Sequence, residues 1–181
     1  MKYLSKLILH LAGWKVVGGL PPGIRKCVVI VAPHTSMWDF VWGRLAFTVI
    51  GIRVKFLIKK EAFAHGLGPL LRWLGGIPID RSKSNHMVEQ VAELFSQYES
   101  LYITITPEGT RSLVTSWKKG YYYIALRANV PVILGFLDYK DKKCGLGPVI
   151  VPSGNYEKDF RQIEDFYRGR QGKHPEKFNL R

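Results

Sequence analysis

The sequence predicts an α/β domain with a mostly parallel, mixed sheet flanked by helices. Apolar runs of strand length alternate with stretches of helical period, and the clearest of these runs, residues 27–32, is a continuous β-branched stretch typical of a strand buried on both faces. The length of 181 residues suits one hydrophobic core. We therefore expect a single domain over residues 1–168, followed by a frayed, polar C-terminal tail over residues 169–181.

The predicted strands follow one another along the chain with helical segments between most of them. The strand at 27–32 stops at Pro33, so His34 begins a loop. Residues 77–79 are expected at a sheet edge, because Pro78 cannot donate a hydrogen bond to a ladder. The remaining strands are predicted at 54–58, 101–105, 132–136 and 148–151.

Helical periodicity marks the connecting segments, most clearly over residues 85–97. Thr35 or Ser36 can cap a helix after the first strand, and Gly51 would end that helix. Asn155 can cap a terminal helix. Shorter helices are predicted at 67–74 and 119–127.

Basic residues outnumber acidic residues, and the excess is concentrated in the N-terminal third. The chain has 27 Lys and Arg against 14 Asp and Glu, and residues 1–60 hold ten of the basic residues but only one acid, Asp39. Together with Trp14, Trp38 and Trp42, this composition favours a surface that binds anionic lipid headgroups. The alternative is a solvated basic face with ordinary core tryptophans.

The first residues predict an amphipathic membrane-surface helix over 1–12. Lys2 and Lys6 lie among apolar residues in a stripe much shorter than the ~20 residues needed to span a bilayer, and no signal-peptide cleavage site follows. Cys27 and Cys144 lie far apart, without the spacing of a zinc site or a disulfide scaffold. We expect a cytoplasmic protein attached peripherally to the inner face of the membrane, with no metal and no cofactor.

His34 and Asp39 are candidate catalytic residues. A carboxylate that accepts a hydrogen bond from one imidazole nitrogen fixes the tautomer and leaves the other nitrogen free to take a proton from a hydroxyl. A histidine in a loop before a helix can fold back over the first helical turn, so a spacing of five residues is feasible. By itself this pair is also compatible with coincidence.

Two further segments place an arginine after a predicted strand. Residues 108–112 contain Gly109, which permits a turn that brings amide groups and Arg111 to one point, and residues 75–81 end on Arg81. Open α/β sheets bind ligands beyond the carboxyl ends of their strands. If the strands are parallel, His34, Arg81 and Arg111 meet at one edge of the sheet.

These segments, in this order, resemble the motif blocks of the glycerolipid acyltransferases, of the 1-acylglycerol-3-phosphate (lysophosphatidic acid) acyltransferase type. The match consists of four blocks: residues 34–39, a His-x4-Asp pattern, and residues 76–81, 107–112 and 130–133. The resemblance implies an O-acyltransferase of phospholipid biosynthesis, in which acyl-CoA or acyl-carrier protein donates a fatty acyl group to the hydroxyl of a lysophospholipid. The favoured acceptor is 1-acylglycerol-3-phosphate, which gives phosphatidic acid.

The resemblance also implies a role for each matching residue. His34 would be the general base and Asp39 its orienting partner. Arg81 and Arg111 would hold the phosphate of the acceptor, because a guanidinium matches phosphate oxygens bidentately. The other candidate substrate-binding residues of the third block are Glu108, which would position Arg111 or the acceptor glycerol, Thr110, and Gly109, around which backbone amides would stabilise the thioester oxyanion.

Other interpretations of these residues stay open at this point. Lys60 could add positive charge near the acceptor or be a solvated lysine. Residues 130–132 could line an acyl groove or enter the core as a strand. For the whole protein, the alternatives are the same chemistry on another lysolipid or a lyso-aminolipid, and a non-catalytic basic module that binds membranes. We expect no nucleic-acid partner, because no nucleic-acid-binding motif accompanies the charge.

Overall fold

The computed structural model describes residues 1–64, 66–80 and 84–180, which form one mixed sheet with helices on both faces. The strands within these ranges are β1 (Lys15–Val17), β2 (Lys26–Ala32), β3 (Val54–Lys59), β4 (Gly76–Ile79), β5 (Leu101–Ile105), β6 (Val132–Asp138) and β7 (Lys143–Ile150). The α-helices are α1 (Lys2–Leu11), α2 (Trp38–Ile50), α3 (Gly68–Trp73), α4 (Ser84–Gln97), α5 (Gly120–Ala128) and α6 (Tyr156–Tyr167). Short 3₁₀ helices cover Lys60–Phe63 and Pro175–Lys177.

The sheet has the strand order β1-β7-β6-β2-β5-β3-β4. Every neighbouring pair from β6 to β4 is parallel, β7 runs antiparallel to β6, and β1 is parallel to β7. The predicted α/β fold with a mostly parallel sheet is therefore confirmed. Its consequence is that β2, β3, β4 and β5 all end at the same edge of the sheet, where ligands bind in folds of this type.

The central strand β2 is buried on both faces, as its β-branched sequence predicts. Val28 and Ile30 face the core that packs under α4, α5 and α6, whereas Val29 and Val31 face the core under α1 and α2. Alternation of side chains along the strand produces this division. The strand is thereby held from both sides, and the loop that begins at its end has a rigid base.

Two predicted helix boundaries have the expected chemistry. Gly51 ends α2 in a left-handed conformation with φ of 91°, and its amide donates to the Phe47 carbonyl at 2.9 Å. The Asn155 side chain accepts a hydrogen bond from the Lys158 amide at the start of α6.

The region around β1 and β7 differs from the prediction. The sequence indicated no strand at β1, and β7 begins at Lys143 rather than at residue 148. A Cβ atom at Gly145 would lie 1.9 Å from the Val17 carbonyl oxygen, so glycine permits the close approach of these two strands. Glycines give no strand signal in the sequence, which explains why the prediction missed the pairing.

The prediction of a frayed tail is wrong for the described residues up to 180. The Tyr139 amide donates to the Gln171 carbonyl at 2.8 Å, and Trp117 Nε1 donates to the Asn179 carbonyl at 3.0 Å. Phe178 and Leu180 pack against the core. Partners on distant elements order this segment, and a scan of local sequence pattern cannot detect them.

The N-terminal helix forms over Lys2–Leu11 and packs on α2. No helix in the described ranges is both long and apolar enough to cross a bilayer. Of the tryptophans predicted for a lipid-facing surface, Trp38 is exposed, but Trp14 is buried in the core against Trp42 and Tyr139. The prediction of an interfacial position is therefore wrong for Trp14, because its ring fills the space between α2 and the loop after β6.

Candidate active site

The structure brings His34 and Asp39 together where β2 leads into α2. The His34 Nδ1 atom lies 3.3 Å from Asp39 Oδ2, and the same carboxylate oxygen accepts the amides of Thr35 at 2.7 Å and Ser36 at 2.8 Å. The loop therefore folds back over the first turn of the helix. The Asp39 side chain is 2% exposed and that of His34 is 20% exposed, so the carboxylate is buried while the imidazole reaches solvent.

Tyr139, which the sequence pattern did not indicate, completes the surroundings of Asp39. Its hydroxyl donates to Asp39 Oδ1 at 2.6 Å from the segment after β6. Burial alone would raise the pKa of Asp39, but hydrogen bonds from His34, Tyr139 and the loop amides outweigh it and keep the pKa below its usual value. The two residues are 100 positions apart in sequence, and no motif signals such a contact.

Glu108 connects the loop after β5 to the His34 loop. The Glu108 side chain is almost completely buried, and its Oε1 accepts the backbone amide of His34 at 2.9 Å. Its other oxygen, Oε2, is buried without a hydrogen-bond partner among the described residues. Burial raises the pKa of Glu108 to about 7. The Glu108 side chain is thus bonded to the backbone of His34. Among the described residues, it forms no ion pair with Arg111.

The turn that contains Gly109 is more open. Gly109 has a φ of 68°, and its amide donates to the Thr106 carbonyl at 3.0 Å. The Gly109 amide is therefore hydrogen-bonded within the turn itself. Thr110 and Arg111 are exposed and do not line the cavity described below, and the Thr110 hydroxyl accepts the amide of Ser112.

The other predicted cations have different positions. Lys60 follows β3 at the expected edge, but it is exposed, forms an ion pair with Asp80 and does not line the cavity. Arg81 lies outside the described residues, and β4 ends two residues before it, at Ile79. The fourth block enters the sheet at the opposite edge, where Val132 is buried in the core, so this block packs as a core strand.

A cavity of about 580 Å³ opens beside His34. Its polar lining includes Asp39, Thr106, Gly109 and Lys118. No sequence pattern singled out Lys118. Its inner wall is apolar and comes from both faces of the sheet: Phe40, Phe47, Phe56, Leu57, Met87 and Ile124. No group of three or more metal-ligating side chains is present in the described ranges. The arrangement is a histidine, held by a buried carboxylate, beside a largely apolar cavity.

The His34–Asp39 dyad and the residues that line this cavity lie between residues 31 and 124. Residues 20–134 match the family model described as Acyltransferase, so the chain belongs to the acyltransferase family.

Comparison with individual proteins agrees with this class. The chain is 33% identical over 115 residues to human 1-acyl-sn-glycerol-3-phosphate acyltransferase beta; the match covers 60% of this chain and 40% of the relative's length. The fold is similar to the crystal structure of the 1-acyl-sn-glycerophosphate (LPA) acyltransferase PlsC from Thermotoga maritima. That likeness has a TM-score of 0.61 at 20% identity and covers 95% of this chain and 80% of the other.

Proposed function

We propose that the protein transfers a fatty acyl group from acyl-CoA or acyl-carrier protein to the free hydroxyl of 1-acylglycerol-3-phosphate, which gives phosphatidic acid. The observation that carries this proposal is the His34 ring, held through Nδ1 by a buried carboxylate at the mouth of a mostly apolar cavity. Membership of the acyltransferase family and the likeness to the human relative support the choice of reaction and acceptor.

The geometry supports a direct transfer with His34 as the general base. Since Nδ1 faces Asp39, Nε2 is left to accept the proton of the acceptor hydroxyl. The hydroxyl oxygen attacks the thioester carbonyl carbon and forms the new C–O bond; the C–S bond then breaks, and its electron pair leaves with the sulfur. His34 returns the proton to the departing thiolate. The lowered pKa of Asp39 keeps its carboxylate ionised, so that it stabilises the transient imidazolium.

The cavity has a size and lining suited to an alkyl chain. Its volume of about 580 Å³ lies within the range of roughly 300–1,000 Å³ that is usual for small-molecule sites. Phe40, Phe47 and Phe56 give one part of the wall an aromatic surface. An acyl chain that enters this space would bring its thioester carbonyl to the polar mouth, beside His34.

A direct assay tests the reaction. Purified protein is incubated with 1-acylglycerol-3-phosphate and acyl-CoA, and phosphatidic acid is measured. We expect His34→Ala to lower kcat by about 10²- to 10⁴-fold, because general-base catalysis contributes an effect of this size. His86→Ala, which removes an exposed histidine on α4, serves as the matched control. Undiminished activity in His34→Ala would show that the mechanism is wrong.

The identity of the acceptor is tested with a panel of lysolipids. Arg111→Ala and Arg81→Ala should raise KM for phosphate monoester acceptors and leave it unchanged for a lyso-aminolipid, since a guanidinium binds phosphate oxygens. A higher kcat/KM with a lyso-aminolipid or another lysophospholipid would retain the chemistry and reject 1-acylglycerol-3-phosphate as the acceptor. Replacement of acyl-CoA by acyl-carrier protein in the same assay identifies the donor.

We also propose that the protein binds peripherally, through α1, to the inner face of the membrane. Tyr3, Leu4, Leu7 and Leu11 project into solvent from this helix while Leu9 packs into the core. Exposed lysines at positions 2 and 6 complement anionic headgroups, a combination of apolar side chains and positive charge typical of interfacial helices.

Sedimentation with vesicles tests the attachment. The double variant Leu4→Ser/Leu7→Ser should bind vesicles of anionic phospholipid several-fold more weakly than the wild type, because each serine removes apolar surface from the interface. Val151→Ser removes a comparably exposed apolar side chain after β7 and should bind like the wild type. Equal binding of all three proteins would contradict the proposed face.

A further inference from the structure

We propose that Lys118 binds the phosphate group of the acceptor and thereby sets the preference for a phosphate-bearing lysolipid. This inference rests on the proposed function and adds to it a cation that neither the motif blocks nor the sequence spacing indicated. Lys118 lies on the segment between the Gly109 turn and α5, at the mouth of the cavity that also contains His34.

The backbone holds Lys118 against the turn. Its amide donates to the Pro107 carbonyl at 2.9 Å, which ties the two segments together. A Cβ atom at Gly109 would lie 2.9 Å from both Cε and Nζ of Lys118, so the lysine side chain passes directly over this glycine. The absence of a side chain at Gly109 therefore makes room for the ammonium group, in addition to permitting the positive φ of the turn.

Among the described residues, the Lys118 ammonium group has no acidic partner. In the ranges that the structure describes, no carboxylate forms an ion pair with Lys118, although it stands at the edge of a cavity. Arg44, a second cation among the described residues that line the cavity, donates through Nη1 to the Leu74 carbonyl at 2.8 Å and lies over the Phe56 ring. Lys118 is thus a cation available to an anionic group that approaches His34.

Its neighbour in sequence shows that this arrangement is specific to one lysine. Lys119 points away from the cavity: its Nζ donates to Glu157 Oε1 at 2.9 Å and lies 4.3 Å from the centre of the Tyr156 ring. The two adjacent lysines therefore have different surroundings. Lys119 is paired with an acid on α6, whereas Lys118 lines the cavity.

Phosphate is the anion that fits this position. A lysine ammonium binds phosphate as a compact point charge with three rotatable donors, and it tolerates the variable placement of a headgroup that enters from solvent. Stabilisation of the thioester oxyanion needs donors fixed on the carbonyl oxygen. Lys118 is exposed to solvent, which favours binding of the headgroup over a contact with the reacting atoms.

Steady-state kinetics of Lys118→Met and the matched control Lys119→Met test the inference. For Lys118→Met we expect KM for 1-acylglycerol-3-phosphate to rise about tenfold with kcat within about threefold, because a charge-assisted contact is lost without a change at the base. KM for a monoacylglycerol, which has no phosphate, should not change. Lys118→Arg should keep most of the preference, and Lys119→Met should behave as the wild type.

Three results would overturn the inference: an unchanged KM for the phosphate-bearing acceptor, a loss of kcat with both acceptors, or a rise of KM for the acyl donor alone. A separate binding measurement does not depend on catalysis. Glycerol 3-phosphate should raise the Tm of the wild type and of Lys119→Met more than that of Lys118→Met, with glycerol as the blank. Equal shifts in all three proteins would reject Lys118 as the phosphate ligand, whereas absent acyl transfer by a wild type that binds glycerol 3-phosphate would reject the proposed function alone.

Discussion

The two loops that form the site differ in how firmly their polar groups are held. Where β2 leads into α2, the Asp39 carboxylate accepts hydrogen bonds from two backbone amides and the Tyr139 hydroxyl and is closed off from solvent. In the segment after β5, Gly109, Arg111 and Lys118 are exposed, and the two cations form no ion pair within the described residues. The groups suited to proton transfer are preorganised, while the cations are left for a substrate to complete.

Glu108 is the point at which the two loops meet. It belongs to the open segment by sequence, but its side chain is buried and accepts the backbone amide of His34. We therefore expect substitutions at the buried residues to change catalysis strongly and a substitution of Glu108 to change stability. Substitutions at surface ion pairs should have small effects.

Among the residues that surround His34, the largest effect is expected for Asp39→Asn. Asparagine keeps an oxygen that can accept the Thr35 and Ser36 amides, so the loop can retain its shape, but it removes the charge that stabilises the imidazolium of His34. We expect kcat to fall by about 10²-fold or more. Steady-state assays measure the loss, and near-UV circular dichroism confirms that the variant is folded. A change in kcat of less than about threefold would show that Asp39 does not take part in the mechanism.

A pH-dependent effect on stability is expected for Glu108. Burial raises its pKa to about 7, so between its unfolded-state value near 4.5 and pH 7 the folded protein retains a proton that the unfolded chain releases. Stability must then fall as pH rises through this window, by up to about 1.4 kcal/mol per pH unit for this one group.

Urea unfolding at pH 5 and pH 7.5 measures this effect. The difference in unfolding free energy between Glu108→Gln and the wild type should shift in favour of the variant as pH rises, because glutamine does not ionise. Contributions of all other groups cancel in that difference. A difference that is the same at both values would contradict the buried, ionisable state of Glu108.

A smaller effect is expected for Tyr139→Phe, which removes one of the contacts that hold the dyad. The loss of a single hydrogen bond to Asp39 should lower kcat about three- to tenfold and leave KM unchanged. Because that hydrogen bond helps to lower the pKa of Asp39, the acidic limb of the pH–activity profile should move to higher pH. Tyr102→Phe, which removes a hydroxyl bonded to the Ile24 carbonyl, is the control.

The smallest effect is expected for Lys60→Met. Lys60 is paired with Asp80 on the surface and does not line the cavity, so kcat and KM should change by less than about twofold. Kinetic assays with the phosphate-bearing acceptor measure this directly. A tenfold rise in KM would show that the cation-bearing side of the site includes Lys60, which follows β3.

The sequence predicted those parts of the site that lie within one short segment. His34 and Asp39 are five residues apart across a strand–helix junction, and local rules give their contact. Tyr139 was missed because it reaches Asp39 from 100 residues away, and Lys118 was missed because nothing local distinguishes it from Lys119. The frayed tail was predicted from polarity alone, although Phe178 packs into the core.

The alternation of strands and helices, and the polar residues that follow the strands, could be predicted from the sequence. Side-chain periodicity and the residues that end strands and helices act over a few positions. Which of those polar residues share a cavity depends on the tertiary structure. Glu108 binds the His34 amide and Lys118 crosses Gly109 only because parallel strands end at one edge of the sheet. Contacts between residues far apart in the chain depend on how the strands pair, and local patterns carry no record of that pairing.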